Sequence, residues 1–393
     1  MKERYWLYLI VLLALLGGGG KLMYDSYRQH QLESEMAQYE KDKINAVSKE
    51  LAARRLHAKK RPIIPELPYC VNYAVSDVNA LTEESLKAFI QNCAYNLIKT
   101  KDYEKFDSTI SDLRDKQLRS PSGLWLQSFF YQGAKRYLEG AKSEQEMGRV
   151  ESELNDWIRR YEKSDAARLL LCDLIISRAW LNRGDGFASA VPKENFAKFH
   201  AGISQAKKYL LENKDISSRD PKWYSLMLSV ITYEENTSAA NHKNYFDEAV
   251  KLYPDYYPIY NAAATFYYSK WHGNGEVFDR FAVYANAKQS DTQAKTIYAR
   301  MYWNSVCSEC GNDGERNWVE HWKQISEGMD QIVTDYPDMH NFNSYAWMAC
   351  SAGDMNTLTK MLGTIKSSVD FSVWVEPFSY RYCSQVARAS VVH

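Results

Sequence analysis

The 393-residue sequence lacks the short motifs that mark many enzymes and nucleotide-binding proteins. It has no G-x-S-x-G nucleophile motif, no H-E-x-x-H zinc motif and no phosphate-binding loop. It also lacks net charge, because 49 Lys and Arg residues balance 49 Asp and Glu residues, so nothing in the charge favours nucleic-acid binding. The apolar–polar alternation of a half-buried β-strand is absent as well. These absences leave a helical chain without a recognisable catalytic motif.

The stretch NYFDEAVKLYPDYYPIYNAAATFYYSKWHG, Asn244–Gly273, predicts two helices joined by a short turn. Apolar residues recur in each half at the spacing of one helix face. In the first half they are Phe246, Ala249, Val250 and Tyr253. In the second half they are Ile259, Ala262, Ala263, Phe266 and Tyr267. Pro254 cannot continue the first helix, and so short a connection makes the two helices antiparallel neighbours, the unit from which helical solenoids are stacked.

Helical patterns continue along the chain from about Leu81. They lie at roughly 82–98, 102–117, 122–140, 143–162, 165–182, 193–212, 221–233, 243–253, 257–270, 276–288, 291–306, 315–335, 341–352, 355–366 and 371–388. Tyr-Pro-Asp follows such a pattern twice, at Tyr253 and at Tyr336, a separation of two helical repeats of about forty residues. We therefore predict an all-α fold, a TPR-like α-solenoid of antiparallel helix hairpins over residues 70–393.

The N-terminus, residues 1–24, carries a charged start, an apolar run and four glycines. Tyr5–Tyr24 is about long enough to cross a bilayer as a helix, with Lys21 reaching the far interface. The favoured interpretation is an uncleaved single-pass anchor in the inner membrane, with the C-terminal domain in the periplasm. The alternative is a signal peptide cleaved near Gly18 or Gly20, which would release a secreted or periplasmic protein.

Residues 25–69 are polar and favour a helix until Pro62, Pro65 and Pro68 interrupt it. This segment predicts a helical stalk and a proline-containing linker. The expected organisation is an anchor over 1–24, stalk and linker over 25–69, and the repeat domain over 70–393.

The seven cysteines suggest three pairs and one buried thiol. Cys172 lies in the apolar run RLLLCDLII and is expected in the core. The candidate pairs are Cys70 with Cys93, Cys307 with Cys310, and Cys350 with Cys383. Cys307-x-x-Cys310 is interpreted as a local disulfide or free thiols. The alternatives are a zinc site, which needs two further ligands when only His321 is close, and a redox-active pair, which normally opens a helix beside a strand. We expect no metal and no cofactor, and disulfides would agree with an exported domain.

Three places in the sequence supply candidate binding residues. In Ser177–Val191 a long apolar helix ends at Trp180, and Arg183 and Asp185 follow in a glycine-containing turn. This pattern fits either a capped helix with a loop or a pocket for a ligand or partner. Trp271 and His272 follow an aromatic helix, and Arg300 lies among Tyr298, Tyr302 and Trp303. Each of these also fits a purely structural interpretation, a helix-ending turn or a packed arginine.

Several segments between Leu154 and Trp303 share the order and spacing of a known family. They are LNDWIRRYEKSDAARLLL, SRAWLNRGDGFASAV, DPKW, NYFDEAVKLYPDYYPIY, SKWHG and TIYARMYW. Residues 157–303 resemble the bacterial domain of unknown function DUF4034, a TPR-like all-helical domain. Where the family pattern has Pro-Arg-Trp, this chain has Ser269-Lys270-Trp271. The resemblance implies a helical-repeat fold and an interaction scaffold, and it implies no known activity.

The predicted function is a membrane-anchored, non-catalytic scaffold that binds another protein. Its membrane contact would be residues 5–24, and no nucleic acid is expected. The predicted partner-binding residues are Trp180, Arg183, Asp185, Trp271, His272 and Arg300. The alternative is an enzyme of unknown reaction with a pocket around Arg183 and His272. Convergence of these residues in one deep cleft would favour the enzyme, and separate helix seams would favour the scaffold.

Overall fold

The structure is a computed structural model that describes residues 64, 67, 69–70, 77–184, 186, 188–288, 295–308, 319–374 and 378–390. The described residues form α-helices and no β-strand, with one isolated bridge between Arg119 and Trp125, so the predicted all-α fold is confirmed. None of the described helices is both long and apolar enough to span a membrane. The predicted anchor and stalk helix lie outside the described residues.

The helices of the described chain are numbered in order. They are α1 (Glu83–Lys99), α2 (Tyr103–Asp115), α3 (Leu126–Leu138), α4 (Glu144–Arg160), α5 (Asp165–Arg183), α6 (Lys193–Glu212), α7 (Lys214–Ser217), α8 (Pro221–Tyr233), α9 (Ala239–Leu252), α10 (Tyr257–Phe266), α11 (Gly275–Asn286), α12 (Thr296–Ser308), α13 (Trp322–Asp335), α14 (Met339–Ala352), α15 (Met355–Ile365) and α16 (Tyr380–Ser390).

The chain divides into two compact units, one ending at Asn341 and the other beginning at Phe342 in its described part. In the first unit α1, α3, α5, α8, α10 and α12 pack in succession and form one row. The helices between them pack against this row: α2 on α1 and α3, α4 on α5, α6 on α5 and α8, α9 on α8 and α10, α11 on α10 and α12, and α13 on α12. In the second unit α15 packs against α16.

Local sequence explains where several helices begin. Thr82 caps α1 by accepting a hydrogen bond from the backbone N–H of Ser85 at 3.3 Å. Ser143 and Glu146 form a reciprocal capping box at the start of α4. The hairpin predicted around Pro254 is confirmed, because α9 ends at Leu252, α10 begins at Tyr257 and the two helices pack together.

Among the described residues, the largest error in the predicted helix boundaries is near the C-terminus. The pattern placed a helix over 371–388, but α16 begins only at Tyr380. The reason is a turn at Asp370, whose carboxylate accepts hydrogen bonds from the backbone N–H of Ser372 at 3.1 Å and from its hydroxyl at 2.5 Å. The indole N–H of Trp374 then donates to Asn343 Oδ1 at 2.8 Å, which holds this segment in a non-helical path.

Aromatic side chains fill the seams between the helices. Trp157 of α4 is fully buried and lies on Tyr103 of α2, with stacked rings 4.5 Å apart between centroids. The edge of the same indole meets Phe106 at 5.0 Å. Such contacts add about 0.5–1.5 kcal/mol each to the burial of the rings.

The cysteines with described side chains form two disulfides and one thiol. Cys70 is bonded to Cys93 and Cys350 to Cys383, with Cα–Cα distances of 5.0 and 5.8 Å. Cys172 is free and buried, as its apolar surroundings in the sequence indicate. The predicted pairing of Cys307 with Cys310 lies outside what the structure describes, because Cys310 and the side chain of Cys307 are not among the described positions.

Candidate functional site

Four aromatic rings from successive helices meet in what we call the tryptophan cluster: Trp180, Phe199, Tyr233 and Trp271. Trp180 lies in the last turn of α5, and its ring centroid lies 4.8 Å from that of Phe199 on α6 and 5.3 Å from that of Tyr233 at the end of α8. Trp271 follows α10 and lies 4.9 Å from Tyr233 and 6.1 Å from Trp180. Phe199 is buried, whereas the other three rings are partly exposed. The cluster therefore has a solvent-facing side.

Arg183 places a cation on this cluster. Its guanidinium carbon lies 5.3 Å from the Trp180 ring centroid and 5.4 Å from that of Phe196, within the range of cation–π attraction. Nη1 donates to the carbonyl oxygens of Gly184 at 2.9 Å and Gly186 at 3.2 Å. Gly184 ends α5 with a φ of +80°, a conformation that suits glycine. No carboxylate among the described residues forms an ion pair with Arg183, and Asp185 lies outside them.

His272 extends the cluster toward solvent. Its ring centroid lies 6.5 Å from that of Trp271, and the side chain is exposed. Nε2 lies 2.8 Å from the carbonyl oxygen of Thr232. Since a carbonyl only accepts, we assign the proton to Nε2, which leaves Nδ1 as the acceptor. His272 therefore links the turn after α10 to the end of α8, beside Tyr233.

The structure does not bring Arg300 to the tryptophan cluster. Its side chain is 7% exposed in α12, with the guanidinium 4.2 Å from the Tyr257 ring centroid. Nη2 donates to the carbonyl oxygen of Ser122 at 3.3 Å. This is the packed arginine that the structural interpretation describes, stacked on an aromatic ring.

A second polar site, which sequence reasoning missed, opens where α4 turns into α5. It is a cleft of about 510 Å³ between α2, the 161–164 loop, the start of α5 and Arg219. We call it the loop cleft, and its lining residues include Asp107, Ser111, Arg159, Arg160, Tyr161, Glu162, Lys163, Ser164, Asp165 and Arg219. Asp107 accepts hydrogen bonds from the Ser164 hydroxyl at 2.7 Å and from the Trp157 indole N–H at 3.0 Å.

A buried ion network lies directly behind the loop cleft. Arg114 Nη1 on α2 is 2.6 Å from a carboxylate oxygen of Asp165, the first residue of α5, and 3.6 Å from one of Asp220. Asp220 is wholly buried and accepts from Gln127 and from the Tyr131 hydroxyl, both at 2.7 Å. Asp220 also caps α8 through the N–H of Lys222. Because buried charges are costly unless they are paired, this network strongly restricts the placement of four helices.

Burial determines the acid–base character of this region. It raises the pKa of Asp107 from 3.8 to about 6, although the hydrogen bonds from Ser164 and Trp157 act in the opposite direction. Burial, followed by the nearby charge of Asp165, likewise raises the pKa of Asp220. Asp107 therefore changes its charge close to physiological pH beside an open cleft.

Sequence reasoning found part of the tryptophan cluster and none of the loop cleft. Trp180, Arg183, Trp271 and His272 were predicted, whereas Phe196, Phe199 and Tyr233 were not. The 3-residue spacing of Phe196 and Phe199 on one helix face was the signal available. Among the described residues no group of three or more His, Cys, Asp or Glu side chains is arranged to hold a metal ion.

The substitution Asp107→Asn tests the electrostatics of the loop cleft. Asparagine keeps both hydrogen bonds, because its carbonyl accepts from Trp157 and its amide donates to Ser164 Oγ. In the wild type the folded chain holds a proton between about pH 4 and pH 6 that the unfolded chain has lost. The free energy of unfolding therefore falls as the pH rises through this range.

We expect D107N to remove this part of the pH dependence and to raise the free energy of unfolding at pH 7 by about 1 kcal/mol. Urea unfolding at several pH values between about 4 and 7 measures both effects. If the free energy of unfolding of the variant kept the same pH dependence, Asp107 would not be its source, and the raised pKa of Asp107 would be contradicted.

Comparison with known proteins does not supply an identity for this arrangement. No protein-family model, no curated protein and no solved structure matches the chain. The similarity of residues 157–303 to DUF4034 thus stays a prediction that rests on the segments quoted above. The function has to be argued from the two sites themselves, the tryptophan cluster with Arg183 and the loop cleft with Asp107.

Proposed function

We propose that this chain is a membrane-tethered, non-catalytic helical-repeat protein whose tryptophan cluster binds an acidic segment of another protein. The observation that carries the proposal is Arg183, a cation that lies over two aromatic rings and has no ion pair among the described residues. Tryptophan, tyrosine and arginine are the residue types that most often dominate the binding energy of protein interfaces.

The chemistry of the cluster favours a carboxylate-bearing partner with an apolar neighbour. Nη1 of Arg183 is already engaged by two carbonyl oxygens, which fixes the plane of the guanidinium. The remaining N–H groups are donors suited to a carboxylate, and the partly exposed rings of Trp180 and Trp271 offer apolar area beside it. A planar arginine whose orientation is already fixed loses less conformational freedom on binding, which favours affinity.

The enzyme alternative has less support. The contacts between Arg183 and His272 run through the indole rings of Trp180 and Trp271, and the guanidinium and imidazole do not contact each other. Nε2 of His272 is engaged by the Thr232 carbonyl. Among the described residues nothing places a nucleophile between the two groups. The predicted member Arg300 lies in a separate seam beside Tyr257.

The proposal also includes a TPR-like helix arrangement and a relationship to DUF4034. We infer a TPR-like solenoid because α1, α3, α5, α8, α10 and α12 pack in succession while the intervening helices pack against them. Stacked hairpins of this kind present extended surfaces for peptides and domains. A relationship of residues 157–303 to DUF4034 would agree with this architecture.

The proposed location is the inner membrane, with the repeat domain in the periplasm. The disulfides Cys70–Cys93 and Cys350–Cys383 support it, because such bonds persist in oxidising compartments. Proteinase K added to intact spheroplasts should then degrade the repeat domain. In spheroplasts without protease, the full chain should stay with the membrane fraction. Protection from the protease until lysis would contradict the orientation, and release into the soluble fraction would show a cleaved signal instead of an anchor.

Binding to acidic peptides tests the function. We would measure fluorescence anisotropy of labelled ten-residue peptides that alternate Glu with Leu or Phe, against matched peptides that carry Gln or Lys in place of Glu. We expect the full chain in detergent to prefer the Glu set, and Arg183→Gln to weaken that binding about tenfold through loss of a charge-assisted hydrogen bond.

Arg280→Gln is the matched control, because Arg280 is an exposed arginine of α11 whose one ion pair within the described chain is with Glu276 at 3.5 Å. This control should bind as the wild type does. Equal binding of the Glu, Gln and Lys sets, or equal loss in both variants, would overturn the proposed function.

A further inference from the structure

Three segments of the chain contribute hydrogen-bond donors to the loop cleft. Ser111 comes from α2, Arg160 from the end of α4 and Lys163 from the loop before α5. The Ser111 hydroxyl has no hydrogen-bond partner among the described residues, and neither Arg160 nor Lys163 has an ion pair there. The cleft volume of about 510 Å³ is of the size that holds a small metabolite.

The other two cations of the cleft are already engaged. Arg159 forms an ion pair with Asp156 on its own helix. Arg219 donates to Asp165 at 2.9 Å and to the Lys163 carbonyl oxygen at 3.0 Å. Arg160, Lys163 and Ser111 are therefore the residues whose donors remain available to a ligand in the cleft.

We propose that the loop cleft binds a small molecule through a tetrahedral oxyanion, a phosphate or sulfate group, together with one proton taken up by Asp107. A tetrahedral group directs its oxygens toward donors on three sides, whereas a carboxylate offers only two oxygens in one plane. Arginine and lysine are the side chains that most often bind such groups, and the hydroxyl of Ser111 adds a neutral donor. This site is separate from the tryptophan cluster and does not depend on the function proposed for it.

Asp107 couples the site to pH. Its carboxylate is a partly buried negative charge in the wall, and protonation removes that charge from the vicinity of a bound anion. The titratable and charged groups that line the cleft with it are Asp165, Arg219, Arg159, Arg160, Tyr161, Glu162 and Lys163. No histidine among the described residues lines this cleft. Since burial raises the pKa of Asp107 to about 6, anion affinity should rise as the pH falls through that value.

Calorimetric titration of the full chain in detergent with sodium sulfate, at several pH values between about 5 and 7.5, tests the proposal. Sulfate keeps its charge throughout this range, so any pH dependence belongs to the protein. We expect one saturable site whose affinity increases on acidification. Arg160→Gln and Lys163→Gln should each weaken sulfate binding about fivefold, since both side chains are exposed and their removal leaves the fold intact.

Two further variants separate the role of Asp107 from a general change of charge. Asp107→Asn should bind sulfate more tightly at pH 7 and lose the pH dependence. Glu162→Gln removes the exposed acid of the loop, so it should tighten binding but keep the pH dependence. Lys208→Gln removes an exposed lysine of α6 outside the cleft and should change nothing.

Absence of saturable sulfate binding at tens of millimolar would overturn the proposal. So would acetate bound as tightly as sulfate, or a pH dependence that survives in D107N. Inorganic phosphate, glucose 6-phosphate and a phosphoserine peptide then identify the source of the group. A small phosphorylated molecule bound more tightly than the peptide supports the proposal, and the reverse order overturns it.

Discussion

The arrangement of the helices in the first unit depends on the ion pairs that the Arg114 guanidinium forms. It reaches from α2 to Asp165 at the start of α5 and to Asp220 at the start of α8. Asp165 and Asp220 are almost completely buried, so each needs this cation or a neutral donor to offset the loss of hydration. Tyr131 and Gln127 of α3 supply the neutral donors to Asp220. One polar cluster therefore fixes the starting points of two long helices, which apolar contacts alone would allow to slide.

The two proposed sites lie at opposite ends of one of these helices. α5 begins at Asp165, beside the loop cleft, and ends at Arg183, over the tryptophan cluster. A helix of this length separates the sites by about 27 Å. Asp220 caps the start of α8, and this helix ends at Tyr233, which contacts both Trp180 and Trp271. The rings of the tryptophan cluster hold their relative positions because the ion network sets where both helices start.

Sequence pattern anticipated the helices better than the sites. The hairpin around Pro254 followed from apolar spacing and a proline, both of which act within a few residues. The start of α16 was misplaced because Asp370 forms a turn that the helical pattern of the segment does not show. The loop cleft was missed because Asp107, Lys163 and Arg219 come together only through the packing of α2, α4 and α8. Their spacing along the chain does not predict that they lie close together. The raised pKa of Asp107 arises from its burial, which cannot be read from a single sequence.

The most direct measurement of the central claim is the free energy of unfolding of Arg114→Met in urea, compared with that of Lys116→Met at the C-cap of the same helix. Methionine retains much of the arginine stem but leaves Asp165 and Asp220 without their shared cation. We expect the Arg114 variant to lose about 3 kcal/mol or more, the usual effect of breaking a buried ion pair from one side. Lys116 is exposed and pairs with Asp112 at 3.1 Å one turn away, so its variant should lose less than about 0.5 kcal/mol. A loss of under about 1 kcal/mol for Arg114→Met would show that the network does not hold the helices in place, and it would contradict this account.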